Sequence, residues 1–384
     1  MSRADDEKLL HVFSPWVCYD SRESYRADSP AVMTDLVSEL PQGGRRATEL
    51  RDAHGSILAT ADASRGAPRL DLGFLGTRGG DDHDNELLRV HSSDYPGDAR
   101  RMHANAEFAD RVYGRVQRSN DRTWLQYWFF YLYNSRPLDD HEGDWEMIQI
   151  ELDGKDRPQS VTYGQHRHAR TRHWNDDDVE KRLGDDGEQA PVVYPGFGSH
   201  CALFGKGSWQ WVGVFDCLEH NDGGSEPIRP RLLCLADMEW AKWPGRWGST
   251  LERIAKSPRG PAYQGERWSD PAAFHDNGKN PIHLTVAFPE QSGAAPLVAW
   301  RREGESLSLR YDAQQTLVGR HWLRATILPE DGDRHPLTYT FPLENVSGEL
   351  KLPLRLAGAG CQATATSVDT ANRESESTPI EHIR

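Results

Sequence analysis

A short acidic segment of the chain has the residue types and spacing of a metal site. It runs from Asn134 to Glu146, and an apolar stretch follows it as far as Leu152. In a strand, side chains two residues apart share a face, so Asp144 and Glu146 lie on the face that the apolar residues define as buried. Burying an unpaired carboxylate costs several kcal/mol, so this pair needs a cation, an arginine or raised pKa values.

A nitrogen ligand stands close to these carboxylates in the sequence. His141 precedes the predicted strand in an acidic loop. We therefore predict His141, Asp144 and Glu146 as metal ligands, a set without a thiolate. Such a set suits Mg²⁺, Mn²⁺, Ca²⁺ or a catalytic Zn²⁺ better than a structural Zn²⁺, and it leaves the identity of the metal open. The alternative is that the two carboxylates pair with an arginine of a neighbouring strand.

Two further segments end in histidine and could meet this site. Residues 163–168 end a predicted strand and include His166, and residues 191–200 form a buried strand that leads into a glycine-rich bend. Ser199 and His200 stand at the tip of that bend. Glycine allows a close backbone approach to a ligand, and polar residues on such bends are frequent in binding sites.

These positions supply the candidate catalytic and ligand-binding side chains. We predict His200 and His166 as the general acid or base. The predicted ligand contacts are Ser199, Trp145 and Trp174. For each histidine taken alone, a structural role is the alternative. A serine nucleophile at Ser199 is not favoured, because the sequence around it lacks the G-x-S-x-G pattern.

The elements that must position these residues are mostly strands, which predicts a mainly-β fold. Long amphipathic helical periodicity is scarce, and short alternating or aromatic runs recur between Gly, Asp, Asn and Pro. The clearest hairpin joins residues 111–116 to residues 124–133, and the second strand is apolar on both faces, which is typical of the middle of a sandwich. Further strands are predicted at 145–152, 159–164, 192–194 and 208–214, with short helices at 105–110 and 237–243.

A change of composition near residue 280 predicts two domains. Residues 1–282 are expected to form a large β-sandwich with irregular loops and a few short helices. Residues 283–384 are expected to form a small C-terminal β-sandwich, which resembles a fibronectin type III or immunoglobulin-like domain. Of the 13 tryptophans only Trp300 and Trp322 lie in this second segment, which marks the change. Its strands are predicted at 284–288, 307–311, 322–327, 337–341 and 349–354, with an edge strand at 360–367.

A tryptophan-rich segment runs from Trp240 to Gly248 in the first of these domains. Tryptophans at this density could stack on a sugar or lie at a membrane interface. The Gly and Pro between them favour a tightly folded bend, so we interpret the segment as part of the interior.

The charge and composition of the chain restrict the classes of molecule that it can bind. The 384 residues carry a formal net charge of −14, and the mean hydropathy is −0.74. Binding to nucleic acid requires an excess of Lys and Arg, so it is not expected. No apolar run approaches the roughly 20 residues of a transmembrane segment, and contact with a membrane surface stays open. The five cysteines are far apart, which predicts reduced thiols and no cysteine zinc site.

The first residues of the chain give an indication of where the protein is located in the cell. Residues 1–8 are charged, and no apolar run follows them. No secretory signal is therefore expected, which predicts a cytoplasmic protein or one exported without a recognisable signal peptide. The sequence leaves the oligomeric state open.

The order and spacing of several motifs resemble the vacuolar protein sorting-associated protein 62 family, a group of β-rich proteins. The likeness covers about residues 10–270, and it implies a fold rather than an activity. The motifs that carry it are Phe13–Tyr25, Gln126–Tyr131 with Asn134, His141–Glu146, Gln165–His166, Pro191–Tyr194, Gly198–His200, Pro244–Gly248 and Ser257–Pro261.

Residues 141–146 are also distantly similar to a motif of the necrosis- and ethylene-inducing-like proteins. In those cytolysins a His-x-x-Asp-Trp-Glu motif holds a divalent cation that takes part in binding sphingolipid sugar headgroups. The resemblance implies that the three predicted ligands hold the metal here. The cytolysins use a further aspartate upstream of the motif, and in this sequence Asp139, Asp140 or Asn134 would take its place.

Three functions agree with these observations. The first is a divalent-metal-binding β-sandwich protein that captures a small-molecule, glycan, lipid-headgroup or phosphate-containing ligand at the His/Asp/Glu site. The second is a metal-dependent hydrolase, in which the cation polarises a carbonyl or phosphoryl oxygen and His166 or His200 acts as general acid or base. The third is a structural or adaptor protein whose buried charges only pair with one another.

Overall fold

The computed structural model describes most of the chain. The described residues are 2–35, 48–61, 69–119, 122–166, 168–184, 187–211, 217–249, 257–279, 293–313, 321–331, 335–356 and 360–384. The α-helices in them are short and are α1 (Arg3–Val12), α2 (Ala31–Thr34), α3 (Leu72–Thr77), α4 (Tyr95–His103), α5 (Glu266–Ser269) and α6 (Pro271–Asn277).

Strands make up most of the regular structure, so the predicted mainly-β fold is confirmed. In the N-terminal part they are β1 (Trp16–Val17), β2 (Thr48–Arg51), β3 (Ile57–Ala61), β4 (Leu87–Val90), β5 (Arg111–Ser119), β6 (Arg122–Asn134), β7 (His141–Leu152), β8 (Pro158–Gln165), β9 (His168–His173), β10 (Lys181–Leu183), β11 (Gln189–Pro195), β12 (Ala202–Leu203), β13 (Gly207–Trp211), β14 (Cys217–Asn221) and β15 (Arg231–Cys234). The C-terminal strands are β16 (Leu297–Glu303), β17 (Ser306–Asp312), β18 (His321–Pro329), β19 (Leu337–Leu343), β20 (Ser347–Arg355), β21 (Cys361–Val368) and β22 (Glu381–Ile383).

A six-stranded sheet in the N-terminal part carries the acidic segment. Its order is β15-β5-β6-β7-β8-β9, in which β15 runs parallel to β5 and the other neighbours are antiparallel. The predicted hairpin is confirmed as β5 and β6. β6 lies between β5 and β7, as expected for a strand that is apolar on both faces.

Each face of this sheet is covered by its own hydrophobic core. Phe130 and Trp145 face a core that also contains Trp247. Phe129 and Ile148 face a second core, which is shared with residues of α1, β11 and β12. Neighbouring residues of β6 and β7 enter different cores because side chains alternate along a strand. Full burial of an apolar side chain of this size contributes about 1.5–3 kcal/mol.

Smaller sheets pack around the central one. β11 pairs with β1 in parallel and with β10 and β12 in antiparallel fashion, so this sheet closes the second core and completes a sandwich. β13 and β14 form a hairpin, and β2 lies between β3 and β4. The strands predicted at 145–152, 159–164 and 192–194 lie within β7, β8 and β11. The one at 208–214 overlaps β13 as far as residue 211, and its remaining residues lie outside the described ones.

β16 to β22 form a second, smaller sandwich. Its sheets have the orders β16-β17-β20 and β19-β18-β21-β22, and both contribute to one core that includes Leu309, Leu323 and Leu352. The strands predicted at 307–311, 322–327, 337–341 and 349–354 are confirmed. The strand predicted at 284–288 and the boundary between residues 282 and 283 lie outside the described residues. The resemblance to a fibronectin type III or immunoglobulin-like domain stays a prediction.

Charged side chains that are buried or half-buried connect this smaller sandwich to the N-terminal part. Glu374 accepts a hydrogen bond from Nη1 of Arg22 at 2.5 Å and another from Arg324. The side chain of Arg324 is 2% exposed. Nε2 of His335 lies 2.7 Å from the carbonyl oxygen of Ser24. The C-terminal sandwich therefore contacts the segment 22–24, which leads into the candidate site.

Both predicted helices differ from the structure. Residues 105–110 form turns, and the α-helix lies earlier in the chain, as α4. Asp94 caps α4 by accepting a hydrogen bond from the backbone N–H of Gly97 at 3.0 Å, and Pro96 in the first turn needs no partner for an N–H. Residues 235–237 and 239–242 form two short 3₁₀ turns in place of the predicted α-helix.

The predicted edge strand at 360–367 also differs, since β21 lies between β18 and β22. The cause is the chain terminus, which returns as β22 and pairs with residues 361–363. The structural interpretation of the tryptophan-rich segment is confirmed: Trp240, Trp243 and Trp247 are all buried. The four cysteines in the described stretches whose side chains are placed carry free thiols.

None of the described helices is both long enough and apolar enough to cross a bilayer.

The charges around Glu374 lead to a prediction about acid stability. Burial raises the pKa of Glu374, but the charges of Arg22 and Arg324 outweigh that effect and hold the pKa at about 2. An unfolded glutamate has a pKa of about 4.3. The carboxylate therefore stabilises the fold above about pH 4.3, and this contribution is lost as the pH falls towards 2.

We expect Glu374→Gln to lower the free energy of unfolding by about 3 kcal/mol at pH 7, and by clearly less at pH 3. Urea unfolding of the wild type and the variant at both pH values measures the difference. Glu376→Gln is the matched control, because Glu376 is exposed and should have an effect near zero. An equal loss of stability at pH 7 and pH 3 would contradict the proposed pKa shift.

Candidate metal and ligand site

β7 presents two carboxylates to the second core. Asp144 and Glu146 are 5% and 4% exposed, and the register with β6 puts Asp144 opposite Tyr131. Their face continues into Ile148 and Ile150, which belong to the core beneath β11 and β12. The prediction that both carboxylates are buried on the face of Ile148 and Ile150 is confirmed, and the opposite face of β7 is buried as well.

Asp144 is held by a histidine and an asparagine. Its Oδ2 lies 3.0 Å from Nδ1 of His200 and 3.4 Å from Nδ2 of Asn134. The ring of His200 stacks on Tyr131 with 4.0 Å between the ring centres. Its Nε2 lies 3.7 Å from Oε1 of Glu23 and is buried without a hydrogen-bond partner among the described residues.

Burial and charge oppose each other at this pair. Burial lowers the pKa of His200, but the carboxylates of Glu23 and Asp144 outweigh it and raise the pKa to about 9. Burial raises the pKa of Asp144, and the hydrogen bond from His200 outweighs it, so the pKa is lowered. The imidazole therefore acts as a cation between two buried carboxylates.

The negative charge of Glu146 is compensated less fully than that of Asp144. Nη2 of Arg267 lies 3.5 Å from Oε2 of Glu146. Burial raises the pKa of Glu146 to about 8, the charge of Arg267 opposes this rise, and the charge of Asp144 adds to it. A carboxyl group in this situation gains from any further cation placed beside it.

A second group of donors surrounds Glu219 on β14. Glu219 accepts a hydrogen bond from the hydroxyl of Ser199, and its Oε1 lies 3.0 Å from Nε2 of His166 and 3.4 Å from Nη1 of Arg136. Burial raises the pKa of Glu219, but the charge of Arg136 and the contact with His166 hold it at about 2. Donor atoms of His166, Cys201 and Glu219 lie within 4.8 Å of one another.

The two groups form one electrostatic cluster. The charge of His166 acts on both Asp144 and Glu146. Burial raises the pKa of Cys201, and the charges of Glu219 and Glu146 add to that rise. The structure thus brings together five of the predicted site residues. These are Asp144, Glu146, His166, Ser199 and His200.

His141 stands next to this cluster, and its ring is fixed by its own strand. Its Nδ1 lies 2.7 Å from the carbonyl oxygen of Gly143, so we assign the proton to Nδ1 and the lone pair to Nε2. His141 and Asp144 are three positions apart, which would put them on opposite faces of a regular strand. Gly143 interrupts the regular geometry with a φ of +63°. Among the described residues, the three predicted metal ligands do not form a group of donors within 4.8 Å.

Contacts from three directions fix the loop that carries Ser199 and His200. The N–H of Gly198 donates to Oε2 of Glu23 at 2.8 Å, and its carbonyl oxygen accepts from the N–H of Ser135 at 2.9 Å. Two guanidinium groups pack on Phe197, with Arg22 at 4.3 Å and Arg324 at 4.6 Å from its ring centre. Arg324 belongs to the C-terminal sandwich, so that sandwich braces the loop.

The structure does not bring the two predicted tryptophan contacts to the cluster. Trp145 points to the opposite face of β7, where it stacks on Trp240 at 5.4 Å. Trp174 follows β9 at the end away from His166, about 20 Å along the strand from His168 at about 3.3 Å per residue. It packs against Phe13 in the core.

Four charged residues complete the cluster and are outside the set predicted from the sequence. They are Glu23, Arg136, Glu219 and Arg267. The sequence gives only a weak indication that Glu219 is a site residue, because residues 217–221 form a short run with a single carboxylate. The others come from segments without a strand pattern, so their approach to β7 depends on tertiary structure.

Comparisons with known proteins give the following. No protein-family model matches the chain, and no curated protein matches it. The resemblance to the vacuolar protein sorting-associated protein 62 family therefore stays a prediction. Matches among solved structures include necrosis- and ethylene-inducing-like proteins at low identity.

Three of these solved structures illustrate the extent of the likeness. A complex of NLPPya with glucosamine is 12% identical over 67% of this chain and 87% of that one, with a TM-score of 0.31. Necrosis and ethylene inducing protein 2, from the causal agent of cocoa's witches' broom disease, is 14% identical over 68% and 89%, with a TM-score of 0.32. The non-toxic HaNLP3 protein is 13% identical over 62% and 78%, with a TM-score of 0.29.

Gly143 gives a test of the local geometry that positions the carboxylates. A Cβ at this position would lie 1.9 Å from the carbonyl oxygen of Trp247, and the positive φ disfavours any other residue. We expect Gly143→Ala to lower the free energy of unfolding by at least about 2 kcal/mol. Gly154→Ala is the control, because a Cβ there meets nothing within 4 Å. Similar unfolding curves for the two variants would show that the backbone at residue 143 is not constrained.

Proposed function

We propose that this chain is a metal-dependent binding protein. A divalent cation is held at Asp144 and Glu146, and it captures a ligand rich in oxygen atoms, such as a glycan, a lipid headgroup or a phosphate. The observation that carries the proposal is the burial of two carboxylates side by side in β7, where Arg267 is the one arginine within 4 Å of the pair among the described residues.

The chemistry of the surrounding donors fits a cation. Carboxylate oxygens and imidazole nitrogens suit Mg²⁺, Mn²⁺, Ca²⁺ or Zn²⁺. His200 is not one of these donors, because its imidazole is a cation whose Nε2 faces Oε1 of Glu23 at 3.7 Å. His141 donates its Nδ1 proton to a backbone carbonyl, the arrangement that orients Nε2 of a metal-binding histidine.

The choice of ligand follows from the properties of such a cation. A hard divalent cation binds oxygen ligands and keeps one or more positions for water or for a ligand. The side chains of Asp139 and His166, beside the cluster, are 35% and 25% exposed, so a ligand would approach from their side. In this proposal the protein residues bind and orient the ligand, and the cation supplies a positive charge for its oxygen atoms.

The metal content of an Asp144 variant tests this function. We expect purified protein to bind about one divalent cation per chain, and Asp144→Asn to lose it. Saturation at 100 times the Kd adds about 2.7 kcal/mol to the stability, which raises Tm by roughly 5–10 °C for a domain of this size. Elemental analysis and thermal unfolding with Ca²⁺, Mg²⁺, Mn²⁺ and Zn²⁺ measure both effects.

Asp153→Asn is the matched control, because Asp153 follows the other end of β7 and pairs with Arg157. It should keep the metal and the rise in Tm. If none of the four cations raises Tm in the wild type, and if Asp144→Asn and Glu146→Gln change only the stability, the buried charges serve the fold alone and the proposal fails.

A metal-dependent hydrolase is the second candidate, and the position of His166 favours it. This side chain is 25% exposed, contacts Glu219 and acts electrostatically on Asp144 and Glu146, so it could exchange a proton with bound water. His200 is enclosed between Glu23 and Asp144 and is less suited to that role.

For a hydrolase we expect His166→Gln to abolish turnover of p-nitrophenyl phosphate or p-nitrophenyl acetate while the metal content stays the same. His168→Gln, at the start of β9, is the control and should retain activity. Loss of metal together with turnover would make His166 a ligand and would contradict its role as acid or base.

A further inference from the structure

A further group of metal-ligating side chains shares no residue with the cluster on β7. It consists of Asp28, His103 and Asp110, and each of them offers a donor atom that lies within 4.8 Å of the other two. Asp28 stands between β1 and α2, His103 is the last residue of α4, and Asp110 directly precedes β5. Three segments that are distant in sequence therefore converge on one point of the N-terminal part.

Hydrogen bonds fix the positions of Asp28 and His103. Oδ1 of Asp28 accepts a hydrogen bond from the backbone N–H of Asp110 at 2.9 Å, and it lies 2.9 Å from Nδ1 of His103. The backbone N–H of Asp28 donates to the carbonyl oxygen of Phe130 on β6 at 3.0 Å. The fold therefore holds these two side chains together without the help of an ion.

The carboxylate of Asp110 accepts no hydrogen bond from the described residues, and its Oδ1 is buried. Its one contact with a basic side chain in that part of the chain joins Oδ2 to Nε2 of His103 at 3.9 Å, which is too long for a hydrogen bond. A buried carboxylate oxygen without a donor costs free energy. A cation beside Asp110 would therefore stabilise the protein.

Negative charge exceeds positive charge at this point. Among the described residues, the imidazole of His103 is the one basic group within 4 Å of the two carboxylates. Burial raises the pKa of Asp110, although the charges of His103 and Arg26 oppose that rise. Burial lowers the pKa of His103, but the hydrogen bond and the charge of Asp28 outweigh it, so the pKa is raised. The surroundings therefore favour positive charge here, and a divalent cation can replace the proton of the imidazole.

The end of α4 adds to this preference. The carbonyl groups at the C-terminus of a helix carry a partial negative charge that attracts cations, and His103 is the last residue of α4. The side chains of His103 and Asp110 are 17% and 34% exposed, so an ion can reach them from solvent. The ring of His335, from the C-terminal sandwich, lies 5.3 Å from that of His103, which places the group close to where the two sandwiches meet.

We propose that Asp28, His103 and Asp110 bind a divalent transition metal of the Zn²⁺ type. An imidazole nitrogen suits Zn²⁺, two carboxylates bring the number of protein ligands to three, and water can occupy the fourth position. Ca²⁺ takes about six to eight oxygen ligands, so two carboxylates and an imidazole suit it poorly. The bound metal joins the segment before α2, the end of α4 and the start of β5.

Calorimetric titration of the full chain with ZnCl₂, after metals have been stripped with EDTA and the EDTA removed, tests the proposal. The main variant is Asp110→Asn. Asparagine keeps the shape of the side chain and tolerates the φ of +53° at residue 110, so this variant should fold. We expect the wild type to bind one Zn²⁺ at this group with a Kd in the micromolar range or below, and Asp110→Asn to weaken that binding at least about 10-fold.

Two further variants locate the ion. Glu107→Gln is the matched control, because Glu107 is an exposed carboxylate three positions before Asp110, and it should bind Zn²⁺ as the wild type does. Asp144→Asn removes a ligand of the cation site proposed on β7 and should keep the Zn²⁺ at Asp110, so the two sites can fail separately. If Asp144→Asn does not fold, the comparison of the wild type with Asp110→Asn decides.

Three outcomes would overturn the proposal. They are the same number of Zn²⁺ ions and the same Kd in the wild type and Asp110→Asn, the loss of all Zn²⁺ binding in Asp144→Asn, and Ca²⁺ binding to Asp144→Asn as tightly as Zn²⁺. In each of these cases the imidazole of His103 serves only as the counter-ion of the two carboxylates.

Discussion

Four carboxylates buried on one face of the central sheet impose the main constraint on this protein. Glu23, Asp144, Glu146 and Glu219 are each at most 5% exposed. Moving one such charge out of water costs several kcal/mol unless partners compensate it. Arginines, histidines and backbone N–H groups around the cluster meet part of that need, and Glu146, with a pKa raised to about 8, marks where compensation is weakest.

These partners come from parts of the chain that are far apart in sequence. The β7 carboxylates meet His200 from the loop after β11, and Glu219 lies on the β13–β14 hairpin. The C-terminal sandwich holds this arrangement from outside, because Arg324 packs on Phe197 and Asn372 donates to the carbonyl oxygen of Leu218. The smaller sandwich therefore stabilises the two segments that deliver His200 and Glu219.

The sequence predicts what depends on local pattern. Alternation along β7 correctly places Asp144 and Glu146 on the buried face, and the run before Asn134 correctly gives a central strand. The same alternation, applied to Trp145, would have put it on the other face, in the aromatic core that contains Trp247. Glu23 and Arg267 could not be predicted, because they reach the cluster from a loop and from the short helix α5, whose positions depend on long-range packing. Helix α4 has no long amphipathic pattern, and its first turn contains Pro96, which is tolerated at that position of a helix.

Anomalous X-ray diffraction from crystals of the full chain grown with MnCl₂ tests the central claim most directly. The account predicts a manganese peak close to the carboxylate oxygens of Asp144 and Glu146, at the short distances that are typical of oxygen ligands. A structure from such crystals with no peak there, and with the two carboxylates still paired with His200 and Arg267, would contradict it.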